Sequence, residues 1–329
     1  MNLFKNIFPF FRLNCEWTDY YSNGDTYQEV TNRDQLFSKT DGQNYYVSQS
    51  MFSGLNSRAV YISYQDFPIL LIESTTINEC SSSDNNQGGS IFFNGNSIVF
   101  SKSCILKSNM FGTNKDGTAA YFECKNSDQS KNHVLFSSVF QNADQTADSK
   151  TTLTLQKGSV FLNHFNFTNN KCISSGLLNI LGSHNVWINN TLFIQNTIDQ
   201  FPNNIQYSAN FYQFTLSNNE CSYNNNDKYM FTIQNCDSHF VHCYLQENSN
   251  YHEMAFYIGG SNYLSDTYYC CGFYTQGSNY MNNLIWGCPD TPPGIEIPVV
   301  NYCFTNDNSN QIRKADIHLM TGVGKVTSD

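Results

Sequence analysis

The sequence predicts an all-β fold in which short parallel strands stack as the coils of a solenoid, giving a single elongated domain. Three observations predict it: the composition, units closed by asparagine that recur every 23 to 33 residues, and the absence of a helical 3.6-residue spacing in any apolar stretch. Aromatic residues make up 15% of the 329-residue chain and charged residues only 13%, about half the usual charged fraction. Amide and hydroxyl side chains supply the polarity instead, which is typical of a β-rich protein.

The repeat is clearest in two segments that align 26 residues apart, GSVFLNHFNFTNN and GSHNVWINNTLFIQN. The alignment predicts that Val160 lies over Val186, Phe161 over Trp187, Leu162 over Ile188, Asn163 over Asn189 and Phe167 over Phe193. Each coil would pair with the next at a spacing of about 4.8 Å, so roughly eight coils would form a rod on the order of 40 Å long. Asparagines suit its corners because they tolerate left-handed backbone and can bond to one another up the stack. Those that close strands are Asn109, Asn142, Asn170, Asn196, Asn219 and Asn248.

A second repeated unit, Asn-[Glu/Lys]-Cys, contains three of the twelve cysteines, Cys80, Cys172 and Cys221. We expect the three to occupy equivalent inward or corner positions, as small buried hydrophobic residues. The cysteine count leaves an oxidising compartment open without requiring one.

The chain divides into three parts. Residues 1–44 precede the repeat and are assigned to an N-terminal cap or irregular lead-in, residues 45–285 to the repeat, and residues 286–329 to a proline-containing spacer and tail. The start of the chain is a poor match to a signal peptide, and no segment approaches the twenty apolar residues of a membrane span. The net charge is −10, which excludes the basic surface that a nucleic-acid partner needs.

The Gly-Gly-Ser-Ile of residues 88–91, with Phe-x-x-Asn units such as Phe167 to Asn170, resembles the paired repeats of polymorphic outer-membrane proteins of chlamydiae. The pattern is more similar still to the Asn-rich β-helix surface proteins of trichomonad protists, over residues 45–285. This resemblance implies a right-handed parallel β-helix of the pectin-lyase-like kind. It also implies a location at the cell surface or outside the cell, with a role in adhesion or antigen display.

The stretch GSHNVWINNTLF, residues 182–193, resembles one coil of a pectate-lyase-type protein, in which an acidic residue and a histidine follow the Val-Trp-Ile strand. Asn189 and Asn190 stand at those two positions here, and asparagine lacks the carboxylate charge that holds calcium. Such a lyase also needs a Lys or Arg base, and no Arg lies between residues 59 and 312. A glycosidase needs converging acids, whereas the sequence indicates loop positions for the acids of the central coils, Asp199, Asp227, Asp237 and Asp266.

The best candidate for a metal site is CDSHFVHC, residues 236–243. In one strand, His239 and Cys243 point to one side and His242 to the other, so the four ligands would not converge. The same alternation predicts Val241 and Cys243 inward and Phe240 at the surface. We therefore expect no catalytic, metal-binding or cofactor-binding residues.

Two sequons, at Asn166 and Asn189, are possible N-glycosylation sites if the chain is secreted. Aromatic residues of the C-terminal half are candidates for a sugar-binding face, although alternation puts about half of such residues in the core. They are Tyr207, Phe211, Tyr212, Tyr223, Tyr229, Tyr268, Tyr269 and Tyr274.

The interpretation favoured by these features is a non-enzymatic surface or secreted protein for adhesion or antigen display. Its partners would be host or matrix glycans, bound along the rod, or surface proteins. The alternatives are a polysaccharide lyase or glycoside hydrolase with an unrecognised carboxylate site, and an intracellular solenoid that binds another protein.

Overall fold

A computed structural model gives the fold of this chain. It describes residues 16–22, 24–64, 68–83, 87–111, 116–143, 151–172, 176–198, 207–212, 214–217, 220–221, 231–233, 236–241, 243–246, 254–259, 262–269, 272–276 and 279–286. Within these ranges the protein is all-β, with one four-residue helix and large parallel sheets. No described helix has the length and apolar character needed to cross a membrane.

The elements follow one another with short connections. They are the helix α1 (Trp17–Tyr20) and the strands β1 (Tyr27–Thr31), β2 (Phe37–Lys39), β3 (Asn44–Ser48), β4 (Met51–Ser53), β5 (Val60–Ser63), β6 (Ile69–Glu73), β7 (Thr76–Asn78), β8 (Ser81–Ser82), β9 (Ile91–Asn94), β10 (Ser97–Ser101), β11 (Cys104–Leu106), β12 (Asn109–Met110), β13 (Ala120–Glu123), β14 (Lys131–Phe140), β15 (Thr151–Gln156), β16 (Ser159–Thr168), β17 (Gly176–Leu181), β18 (Asn185–Asn189), β19 (Leu192–Ile194), β20 (Thr197–Ile198), β21 (Tyr207–Tyr212), β22 (Thr215–Ser217), β23 (Glu220–Cys221), β24 (Phe231–Ile233), β25 (Cys236–Val241), β26 (Tyr244–Gln246), β27 (Met254–Gly259), β28 (Asn262–Tyr269), β29 (Gly272–Gln276) and β30 (Asn279–Trp286).

Three runs of parallel strands organise the molecule. The first run pairs β1, β3, β6, β10, β14, β16, β18, β21, β25, β28 and β30 in that order. The second run pairs β4, β7, β11, the C-terminal half of β14, the C-terminal half of β16, β19, β22, β26 and the C-terminal half of β28. The third run pairs β2, β5, β9, β13, β15 and β17. Because the chain passes from one run to the next and then returns, residues that are close in space lie one repeat apart in sequence.

The predicted register between the two aligned segments is confirmed. Residues Val160, Phe161, Leu162 and Asn163 pair with Val186, Trp187, Ile188 and Asn189, and Phe167 pairs with Phe193. Eleven strands of the first run are described, rather than roughly eight coils, and the pairing already begins with β1 and β2. Both strands lie inside residues 1–44, the segment that the sequence assigned to a cap or lead-in.

Inward side chains form columns along the stack. On the first run one such column contains Val47, Ile72, Phe100, Val134, Leu162, Ile188, Phe211 and Phe240, each at most 1% exposed. Stacking of like residues on like residues buries a continuous apolar core, and rings such as Phe211 and Phe240 lie parallel with their centroids 4.4 Å apart.

Three of the six asparagines predicted at corners, Asn142, Asn170 and Asn196, form a ladder at the corner that follows the second run. Asn109 instead lies one residue further on, in β12, and Asn219 and Asn248 lie outside the described residues. The side-chain oxygen of Asn170 accepts hydrogen bonds from the backbone amide and the side-chain amide of Asn142, both at 3.0 Å. Asn170 in turn donates its backbone and side-chain N–H groups to the Asn196 side-chain oxygen, at 2.8 and 3.2 Å. All three residues are at most 1% exposed. The ladder therefore satisfies backbone groups that the turn leaves without strand partners.

The expected equivalence of the three cysteines is wrong for Cys80. Asn109 pairs with Ser81, and the Asn109 amide donates to the Cys80 carbonyl, so Cys80 lies in the column that the ladder asparagines occupy further along. Cys172 lies two positions later in its repeat, where Lys171 bridges Thr197, and Ile198 pairs with Cys221. The shared Asn-x-Cys motif therefore lies two residues earlier in the repeat at Cys80 than at Cys172 and Cys221. The side chains of Cys80 and Cys172 are both buried, as expected.

Candidate functional site: an exposed aromatic strip

Asn189 and Asn190 lie at the corner between the first and second runs. In the lyase coil that this segment resembles, the same two positions hold an acidic residue and a histidine. Asn190 adopts a left-handed backbone conformation, with φ of 46°, and its backbone N–H donates to the Tyr212 carbonyl at 2.9 Å. The next residue, Thr191, turns inward, and its hydroxyl donates to the Asn189 carbonyl at 2.8 Å. This pair therefore builds the corner itself.

The same corner recurs along the stack. Its left-handed residues are Gln49, Ser74, Lys102, Phe136, His164 and Asn190, with φ between 46° and 50°. In four units besides that of Thr191, the residue after the left-handed one is a buried serine or threonine. Its hydroxyl donates to the carbonyl two residues earlier; these residues are Ser50, Thr75, Ser103 and Ser137. Left-handed backbone is unusual for a side chain as bulky as phenylalanine, so the repeated hydrogen-bond pattern holds Phe136 in a conformation that its own preference disfavours.

The outward side of the first run carries a column of large side chains whose exposure changes along its length. The column pairs Tyr46, Leu71, Val99, His133, Phe161, Trp187, Asn210 and His239 in order. Leu71 and Val99 are fully buried, His133 and Phe161 are partly exposed, and Trp187 is 39% exposed. One end of the column is therefore covered and the other is open.

Residues 16–22, here called the N-terminal strap, cover the buried end. The Trp17 ring is 1% exposed and packs with Leu71, Val99 and Leu135. Hydrogen bonds fix the strap, since the Tyr20 hydroxyl lies 2.9 Å from the Ser101 hydroxyl and the Tyr21 hydroxyl donates to the Leu70 carbonyl at 3.1 Å. Flat aromatic groups are thus accommodated on this outward surface.

The strap also contacts a lysine, and the two histidines near the open end are uncharged. The Lys131 ammonium donates to the Tyr20 carbonyl and lies 5.2 Å from the centre of the Tyr21 ring. Burial, with a smaller contribution from the Lys131 charge, lowers the pKa of His133 to about 3. Burial also lowers the pKa of His164. Both imidazoles are therefore neutral at pH 7.

Beyond the strap lie Phe161, Trp187 and Tyr212, which we call the aromatic strip. They stand on three consecutive strands of the first run, β16, β18 and β21, with Trp187 paired to Phe161 and Tyr212 paired to Asn189. Trp187 and Tyr212 are 39% and 36% exposed. Asn163 pairs with Asn189 beside the strip, and the side-chain NH₂ group of Asn190 donates to the Asn163 side-chain oxygen at 3.2 Å. Apolar rings and amide groups therefore share one surface.

Of the aromatic residues that the sequence marked for a binding face, Tyr212 is exposed and Phe211 is in the core. Strands contain Tyr207, Tyr268, Tyr269 and Tyr274; Tyr223 and Tyr229 lie outside the described residues. Sequence analysis missed Phe161 and Trp187. Strict alternation with the inward residues Val160 and Leu162 was a signal that could have placed both rings outward.

The metal candidate at 236–243 is arranged differently from the expectation. His239 is exposed, whereas Phe240 and Cys243 are fully buried, and the Cys243 thiol donates to the Val241 carbonyl at 3.5 Å. Cys243 is buried as predicted, but the prediction was wrong for Phe240, because β25 ends at Val241 and the corner changes which residues face inward. His239 and Cys243 thus lie on opposite sides of the sheet.

The acidic residues also depart from the loop positions expected for them. Asp237 lies in β25 and Asp266 in β28, while Asp199 and Asp227 lie outside the described residues. The described side chains contain no group of three His, Cys, Asp or Glu residues suited to a metal ion.

Both sequon asparagines are partly exposed. The side-chain oxygen of Asn166 accepts a hydrogen bond from the Thr168 hydroxyl. The side-chain oxygen of Asn189 is buried and has no hydrogen-bond partner. Glycosylation at either position stays a prediction.

Comparisons with known proteins give no relative from which a role could be transferred. No family model, curated protein or solved structure matches the chain. The functional argument therefore rests on the geometry of the molecule.

Proposed function

We propose that the three runs wind as a right-handed parallel β-helix in one elongated domain. In support, the strand pairings within the described residues are parallel, and the left-handed corner residues recur at equivalent positions. Eleven strands spaced by about 4.8 Å give a rod on the order of 50 Å long. An experimental density map tests the winding, and left-handed coils or sheets that do not form a continuous helix would contradict it.

We further propose that the chain is a non-enzymatic surface or secreted protein that acts in adhesion or antigen display. The observation that carries this proposal is the aromatic strip, which leaves Trp187 and Tyr212 exposed beside amides on an otherwise closely packed sheet. Large exposed aromatic residues are typical of binding surfaces, because a partner must cover them to recover the hydrophobic free energy. Asn189 and Asn190 form the adjoining corner, a structural role that needs no chemistry.

A location outside the cell is part of this proposal. Cys104 is disulfide-bonded, and disulfides persist mainly in oxidising compartments. The partners would be host or matrix glycans, or surface proteins.

The test passes purified protein over immobilised plant, mucin and matrix polysaccharides and matrix proteins. Retention and the release of new reducing or unsaturated ends are recorded together. We expect saturable retention without release. Release with turnover would replace the adhesive role with that of a polysaccharide lyase or glycoside hydrolase. If the protein is retained on none of the surfaces, adhesion is contradicted and antigen display is the role that stands.

A further inference from the structure

Trp187 and Tyr212 of the aromatic strip are 39% and 36% exposed, whereas Leu71 and Val99 of the outward column are fully buried. Under the N-terminal strap, the same outward column packs against the Trp17 ring. The strip continues that interface by one or two strands, as His133 contacts Phe161 edge-on at 5.6 Å and Phe161 pairs with Trp187. A flat, partly apolar ligand would therefore extend a mode of packing that the molecule already uses.

The strip carries no net charge. Strands β16, β18 and β21 contain no Asp, Glu, Lys or Arg. Of the basic groups nearby, Lys131 is held by the strap, and the Lys157 ammonium pairs with the Glu123 carboxylate at 2.6 Å. An acidic ligand such as a uronate polymer would find no counter-charge here, so burying its carboxylates would cost free energy.

Asn189 supplies a polar group without a partner next to Trp187. Its buried side-chain oxygen has no hydrogen bond, an arrangement that costs free energy unless a partner is supplied. Rotation about its Cβ–Cγ bond would present the amide to a ligand hydroxyl. Asn163, one strand away, and Asn190, at the corner, provide further amide groups on the same side.

The dimensions of the strip suit a short chain of rings. Neighbouring strands are about 4.8 Å apart, and two residues along a strand add about 6.6 Å, so Phe161 and Tyr212 are separated by about 12 Å. Trp187 lies between them. An extended oligosaccharide spans such a distance with successive rings.

We propose that the aromatic strip binds a neutral polysaccharide, whose pyranose rings pack on Phe161, Trp187 and Tyr212 and whose hydroxyls bond to Asn163, Asn189 and Asn190. This inference rests on the proposed adhesive role and names its ligand class. Sugar rings present apolar C–H faces to aromatic rings, and their hydroxyls match the donors and acceptors of amides. Binding is then insensitive to salt, because no ion pair contributes to it.

The test uses the full chain with hexasaccharides of three neutral polymers, cellulose, mannan and chitin, and with oligogalacturonate as the acidic comparison. We expect saturable binding of at least one neutral oligosaccharide, and weak or no binding of oligogalacturonate. Trp187→Ala and Tyr212→Ala each weaken the binding about tenfold or more, as is usual for central aromatic contacts. Trp187→Phe, which keeps a ring, retains most of the affinity.

Phe111→Ala is the matched control, because Phe111 is 50% exposed and lies outside the strip. It leaves the affinity unchanged, and circular dichroism verifies that each variant is folded. If neutral sugars bind equally well to all variants, the strip is not the site, although the adhesive role stands. Preferential binding of oligogalacturonate overturns the ligand class. Retention on matrix proteins with no sugar bound overturns this inference and keeps adhesion, whereas catalytic release overturns the proposed function itself.

Discussion

At the scale of single residues, Asn170 shows how one amide replaces missing strand partners. Its oxygen accepts from the Asn142 backbone, and its NH₂ group donates to the Val139 carbonyl at 2.9 Å. Asn170→Ala leaves these buried groups unpaired, so we expect the free energy of unfolding to fall by about 2–4 kcal/mol. Urea titration measures the loss. The control is Asn185→Ala, at an exposed strand position, which changes stability by less than about 0.5 kcal/mol. Equal effects of the two substitutions would refute a structural ladder.

His133 makes a second prediction at this scale, on pH dependence. In the folded chain its pKa is lowered to about 3, chiefly by burial, whereas in the unfolded chain it takes up a proton near pH 6.5. The unfolded state therefore binds more protons between these values, and stability falls as the pH drops below about 6.5. We expect His133→Gln to lose less stability than the parent protein between pH 7 and pH 5, measured by urea unfolding at both pH values. Identical pH slopes would show that other groups control the acid response.

At the scale of elements, the N-terminal strap stabilises the sheet that it covers. Trp17 buries its ring against Leu71, Val99 and Leu135, and it stacks on Tyr27 with ring centroids 4.5 Å apart. Trp17→Ala removes this cover, so we expect a loss of about 3–5 kcal/mol in the free energy of unfolding. Exposure of the apolar column should also increase the binding of a hydrophobic dye. The comparison is Phe111→Ala, and a Trp17 variant as stable as that control would mean that the strap packs only loosely.

The elements also show how far the sequence determines the structure. Repeats and alternation predicted the parallel register of Val160 with Val186 and the asparagine ladder, because both depend on residues one repeat apart. Alternation placed Cys243 inward correctly but failed at Phe240, because a corner between the two residues changes which positions face inward. Alignment of the Asn-x-Cys motifs failed at Cys80, because the hydrogen-bond register, rather than residue identity, determines which residues stack on one another. The strap was beyond prediction, since its contacts join Tyr20 to Ser101 across 81 residues without any repeated pattern.

At the scale of the whole molecule, the state of the cysteines tests the proposed location outside the cell. Among the described residues, Cys104 is disulfide-bonded, whereas Cys80, Cys124, Cys172 and Cys243 are buried and not in a disulfide. Burial raises the pKa of the Cys80 thiol to about 11 and that of Cys243 to about 12, which keeps both protonated and unreactive at neutral pH.

This pattern gives a prediction for protein taken from its natural source. After denaturation without reductant, we expect a thiol-alkylating reagent to label Cys80, Cys124, Cys172 and Cys243 and to leave Cys104 unlabelled, as read by peptide mass spectrometry. Prior reduction should add label at Cys104, which serves as the internal control. Before denaturation the four thiols should react slowly, because the stacked strands must separate to expose them. Labelling of Cys104 without reductant would contradict the proposed location outside the cell and would favour an intracellular protein partner over an external glycan.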